Sequence, residues 1–253
     1  MLTSFAGLFW FILTLLPLVF LQRLLHREIQ AVLLILTRNA ELTIGLFSIL
    51  FLPGVAMHEL SHYLMAKLLR VRTGRFSLFP KALPNGRLQM GYVETEQTDV
   101  FRDSLIGLAP LIAGSVFVAY VGSDHLQLGT LWKFLQNDQL NLFYMAVGVL
   151  PTVNDFYLWL YLAFAVSSTM MPSESDSHAW FPLGIWVAGL LGLAVFAGAG
   201  AWMLTNLTPL VNGFLSTVAE LFSASVVLHI VFLIPAFVVH KILAKVTGVD
   251  VKR

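Results

Sequence analysis

Apolar runs of bilayer-spanning length recur along the whole of this sequence, and that recurrence limits the chain to folds that lie in lipid. A spanning helix needs about 20 predominantly apolar residues. Residues 4–21, 42–69, 104–121, 141–171, 178–204 and 207–242 each supply such a run. The composition agrees: 58% of the 253 residues are hydrophobic and 11% charged, against about 25% charged in soluble domains. The expected fold is an all-α polytopic membrane protein, one domain over residues 1–253, with about six transmembrane helices. A net charge of +1 leaves no broad basic surface for nucleic acid. The first run lacks a basic leader and an A-x-A-like cleavage site, so it reads as a retained helix. The chain has no cysteine, which excludes disulfides and thiolate ligands. Any metal must be held by His, Asp or Glu.

Several segments break the regular pattern. Arg23, His26, Arg27, Glu28 and Arg38 surround a short apolar run, so residues 22–38 read as an interfacial helix following the first span. Pro53 is expected to kink the second span one turn before His58. Residues 141–171 would make a helix about 46 Å long, too long for a core of about 30 Å. A break is expected at Pro151 or at Asn154-Asp155. Pro209 and Pro235 similarly divide residues 207–242 into two half-spans. Between the second and third spans, Leu83-Pro84-Asn85-Gly86 separates two short runs, 75–80 and 87–93. Asn-Gly in that setting reads as a β-hairpin, here within a membrane-surface region over residues 70–103 that could pair with an extended peptide.

Orientation is expected from the Lys/Arg bias. Arg70, Arg72, Arg75, Lys81, Arg87 and Arg102 lie in the loop after the second span, and Lys241, Lys245, Lys252 and Arg253 in the C-terminal tail. Counting six spans puts both groups on one side, the cytoplasmic one. Arg23, Arg27 and Arg38 then fall opposite, against the rule.

The chemistry is concentrated in His58-Glu59-Leu60-Ser61-His62, inside the second apolar run. H-E-x-x-H sets two imidazoles four residues apart on one helix face with a carboxylate beside them. Zinc takes such a pair as ligands and lowers the pKa of water toward about 7. Glu59 has the place of that water's base. Chance supplies the pattern in roughly one of two hundred chains of this composition, and ionisable groups at membrane depth are costly enough to be rare unless used. A third ligand is needed. The candidates are Asp176, Glu174 and Asp155, with Asp176 and Glu174 favoured because the fourth span returns to the half of the bilayer that holds the motif. Glu220, His229 and His240 lie in the last apolar stretch, and the two histidines there read as interhelical hydrogen-bond partners.

The segment 42–178 resembles the site-2 protease family of intramembrane zinc metalloproteases. His58, Glu59 and His62 match its zinc-and-base motif. Gly107-Leu108-Ala109-Pro110-Leu111 resembles its G-x-x-G-P segment, and Met170-Met171-Pro172 with Asp176 resembles its N-L-L-P…L-D-G segment. Thr169 stands where the family has Asn, Asp176 is one residue closer to its proline, and no Gly-Gly follows it. The resemblance implies a metalloprotease core over residues 42–178, preceded by residues 1–38 and followed by C-terminal helices over 179–253. It implies Zn2+ held by His58, His62 and Asp176, with Glu59 as the catalytic base. It also implies a transmembrane or membrane-tethered protein substrate cut within the bilayer of a prokaryotic inner or plasma membrane, from the cytoplasmic side. The rival class is a metal-binding transporter, a scaffold or an inactive homologue without hydrolysis, and a hydrolase acting on a lipid is a third reading.

Overall fold

The computed structural model describes residues 5–82, 88–249 and 251, and about 80% of the chain is helical. Helix α1 (Ala6–Thr37) is followed by α2 (Ala40–Leu50), α3 (Leu52–Leu68), four short strands, α4 (Val100–Tyr120), α5 (Leu128–Gln136), α6 (Leu140–Val149), α7 (Phe156–Ser167), α8 (Trp180–Ala194), the short turn α9 (Gly200–Trp202) and α10 (Thr208–Thr247). Strands β1 (Thr73–Ser77) and β4 (Tyr92–Thr95) pair antiparallel, with Phe76 opposite Val93. Strands β2 (Lys81–Ala82) and β3 (Leu88–Gln89) continue the same hairpin. The Leu83–Gly86 turn and Arg87 lie outside the described residues.

Three helical stretches are long and apolar enough to cross a membrane, or up to five if each of two bent pairs counts as one span. That count bears out the all-α membrane fold with a small hairpin and does not confirm the expected six spans. Three differences have physical causes. Residues 22–38 do not form a separate interfacial helix: α1 runs unbroken through them, because the mixed stretch packs along α10 and buries Glu28 against His240 Nδ1 at 2.5 Å. Residues 207–242 are not two half-spans, since Pro209 lies in the first turn of α10, where no N–H is needed, and the helix continues through Pro235. The second span is a bent pair: α2 and α3 meet at 69° around Phe51, and Pro53 begins α3 rather than interrupting it. The break expected near Pro151 and Asp155 is present, as a 98° bend between the α6 side and α7.

Contacts give the directions of the packed helices. Gly7 N–H donates to the Asn212 side chain, and Glu28 meets His240, so α1 and α10 run parallel. Met170 at the end of α7 packs with Leu18 and Phe222, whereas Phe164 packs with Leu25 and Phe232. Helix α7 therefore opposes both. Helix α3 follows α7, since Phe51 meets Phe164 and His58 meets Thr169. Helix α4 opposes α7, with Leu111 beside Met170 and Val121 beside Ala163. The hairpin is thus at the end of the bundle where α1 begins, and α10 ends at the other.

That polarity corrects one expectation. Lys241 and Lys245 do not share a side with Arg70, Arg72, Arg75 and Arg102; they lie at the end where α1 reaches Arg38. The miscount lies in residues 178–204: Ala179 is tied to Ser104 near the start of α4, and Asn212 to Gly7 near the start of α1, so the stretch between them adds no net crossing. Basic residues are divided between the two ends, and the Lys/Arg bias does not orient the molecule. Because the chain is free of cysteine, single cysteines can test this polarity. Glu96→Cys and Val249→Cys, in proteoliposomes of uniform orientation, should be labelled by an impermeant maleimide from opposite faces. Labelling of both from one face would refute the arrangement.

Candidate metal centre

Helix α3 sits between α4 and α7, and each neighbour turns an unspent carbonyl toward it. His58 Nδ1 donates to the Thr169 carbonyl at 2.7 Å, and His62 Nδ1 donates to the Ile106 carbonyl at 2.8 Å. A carbonyl can only accept, so each ring carries its proton on Nδ1 and turns Nε2 toward a common point. The two Nε2 atoms are 3.1 Å apart. Asp176 completes the group, with Oδ1 3.3 Å from His62 Nε2 and Oδ2 3.5 Å from His58 Nε2.

Local structure around Pro172 positions Asp176. After α7 ends at Ser167 the chain turns, and Ser173 N–H donates to Asp176 Oδ2 at 2.7 Å. Ser104 Oγ ties the following turn to α4 through the Ala179 carbonyl. Gly107 lets that turn approach: a Cβ there would overlap the Asp176 carbonyl oxygen. The glycine of the Gly-Leu-Ala-Pro-Leu segment thus has a mechanical reason to be glycine.

Three electron-pair donors at 3.1–3.5 Å repel one another unless a cation lies among them. The cation is either a proton carried by the imidazoles or a metal ion. In the proton-carrying form, burial would raise the Asp176 carboxyl, but hydrogen bonds from His58, His62 and Ser173 outweigh it and hold the group well below the usual carboxylate range. A metal fits the same spacing. Tetrahedral ligands at about 2.0–2.1 Å from an ion stand about 3.3–3.4 Å from one another. His58, His62 and Asp176 form the group of His and carboxylate ligand atoms among the described residues that could hold one.

Glu59 is buried on α3 and does not belong to that group. It lines a cavity of about 580 Å³ with His58, His62 and Asp176, whose other walls are Met90–Val93, Ile106–Gly107 and the Ser168–Thr169 turn. Gly91 lies directly over it: a Cβ there would come within 3.0 Å of Glu59 Oε1. Phe76 packs edge-on against Tyr63 of α3, and Leu78 and Met90 join the core around Phe51. These contacts hold the hairpin over Glu59.

The other candidates are placed elsewhere. Glu174 lines the cavity without entering the ligand group. Asp155 is exposed at the α6–α7 bend, and Glu220 is exposed on α10. His229 Nδ1 donates to the Ser225 carbonyl while its Nε2 accepts from Ser168 Oγ, and His240 bonds Glu28. Sequence reasoning missed Gln22 and His26, which also line the cavity. Their signal was present: two polar residues four apart on an apolar helix share a face.

No protein-family model, curated protein or solved structure matches this chain.

Metal affinity should depend on Asp176 and on neutral imidazoles. Asp176→Asn is expected to weaken zinc at least about 100-fold, read by competition with a fluorescent chelator. Bound metal should be lost on acidification, because protons compete for the ligand atoms. Retention of wild-type affinity by Asp176→Asn would remove Asp176 from the site.

Proposed function

We propose that this protein is an intramembrane zinc metallopeptidase of the site-2 protease type. One observation carries the reading: Glu59 lines the same cavity as two imidazoles and a carboxylate already spaced for a tetrahedral ion. The group lies level with Gln22 of α1 and His229 of α10, since Ser168 bonds both and Thr169 holds His58. Both helices belong to stretches apolar enough to cross a bilayer. A peptide bond reaching this cavity is one from a membrane-embedded or membrane-tethered segment.

Bound zinc would supply a Lewis acid that lowers the pKa of water and polarises a carbonyl. The remaining work falls to the chain. The carbonyls of Ile106 and Thr169 keep the imidazoles in the ligand tautomer. Glu59 accepts the proton of the attacking water and returns it to the leaving amine. Gly91 leaves room above the carboxylate for that exchange. The substrate must be extended, because a helical carbonyl is hydrogen-bonded and shielded. Strand β4 lines the cavity and pairs only with β1 among the described residues, so its other edge is available to such a segment.

A metal carrier without hydrolysis has no need of a carboxylate in the position of Glu59. Glu59→Gln therefore separates the two classes. Cleavage of a model transmembrane substrate should fall at least about 100-fold, with zinc content unchanged. An unaltered rate of cleavage in that variant would falsify the assignment of Glu59.

A further inference from the structure

We propose that Gln22 and His26, one turn apart on α1, form the subsite that binds the backbone of an extended peptide beside the metal group. The proposal rests on the peptidase reading and deepens it by naming residues from a helix outside the H-E-x-x-H core.

These two are the residues α1 contributes to the cavity wall, and both are polar. Gln22 is pinned: its Nε2 donates to the Ser168 carbonyl at 2.6 Å. The bond spends one N–H and leaves the other N–H and Oε1 for a ligand. His26 is held by shape alone. Its ring stands edge-on to Phe47, with centroids 5.4 Å apart, and lies 4.8 Å from Phe51. Its Nε2 is enclosed and has no hydrogen-bond partner among the described residues. A buried ring nitrogen without a partner is unfavourable and rare, and it is tolerated where a ligand supplies what is missing.

Neighbouring polar groups cannot do this work. Thr169 Oγ1 turns back to the Ala165 and Val166 carbonyls of its own helix. Ser168 Oγ is taken by His229. On this side of the cavity, among the described residues, the side chains with both a donor and an acceptor unspent are Gln22 and His26. A neutral imidazole and a carboxamide each offer a donor and an acceptor, the complement of the N–H and C=O groups that an extended peptide leaves open. A helical segment has already spent its own. Strand β4 lines the same cavity, so an extended segment has main-chain partners on strand and helix with the metal group beside it.

The test uses two zinc-binding probes on the zinc-loaded full chain in detergent: an apolar tetrapeptide hydroxamate and acetohydroxamate, which carries no peptide. Wild type should bind the peptide probe the more tightly. His26→Phe, whose ring suits the Phe47–Phe51 setting, should weaken the peptide probe about tenfold and leave acetohydroxamate within about twofold. His26→Gln, which keeps a donor and an acceptor, should restore most of the loss. Gln22→Leu should weaken the peptide probe alone. Unchanged peptide binding in His26→Phe overturns the subsite while leaving the peptidase reading in place, as does equal loss in His26→Phe and His26→Gln. Parallel loss of acetohydroxamate would assign His26 to the metal group instead and also overturn the subsite. If wild type does not prefer the peptide probe, the subsite and the peptidase reading fall together.

Discussion

Two main-chain carbonyls, those of Ile106 and Thr169, determine what the H-E-x-x-H face can do. Each accepts the Nδ1 proton of one histidine. Without them the rings would be free to rotate or exchange tautomers, and two imidazoles at helical spacing would not aim a lone pair at the same point. Both carbonyls are available because of what their helices do locally. Pro110, four residues after Ile106, has no N–H to donate back to it. Thr169 lies just beyond the last turn of α7, where carbonyls run out of intrahelical partners.

The bundle has a polarity that follows from which helices lie alongside the site. Helices α3 and α7 run one way, and α1, α4 and α10 the other. The turn at Ser168–Thr169 is where these sets meet: Ser168 bonds Gln22 and His229, and Thr169 bonds His58. Polar groups in such a setting must satisfy one another because lipid offers no partners. The buried Glu28–His240 pair does the same further along the α1–α10 interface.

Much of this was legible in the sequence, and the failures share one cause. Apolar length located the helical segments, Asn85-Gly86 located the hairpin, and the Pro151–Asp155 disruption located a bend. His58, His62 and Glu59 were readable because a helix converts i, i+4 spacing into geometry. Asp176 was readable only as one of three carboxylates near a proline, and the turn that brings it to the imidazoles depends on Gly107 in another helix. Hydropathy reports whether a segment prefers lipid, not whether it crosses straight. Residues 178–204 are apolar enough to cross yet lead from the Asp176 turn back to the same end, where α10 begins, and that defeated the assignment of the C-terminal lysines. The continuity of α1 was hidden for a related reason: Glu28 looks interfacial until its partner, 212 residues away, is known.

The candidate metal group draws on residues far apart in the chain, and this bears on its biosynthesis. His58 and His62 emerge early, but the carbonyls that orient them come from residues 106 and 169, and the carboxylate from residue 176. Membrane insertion proceeds from the N-terminus, so for much of synthesis α3 exposes two unoriented imidazoles and no assembled centre. The two imidazoles, the carboxylate and the Nδ1 tautomer come together only after α7 has packed against α3. A chain truncated before that point would lack the assembled group.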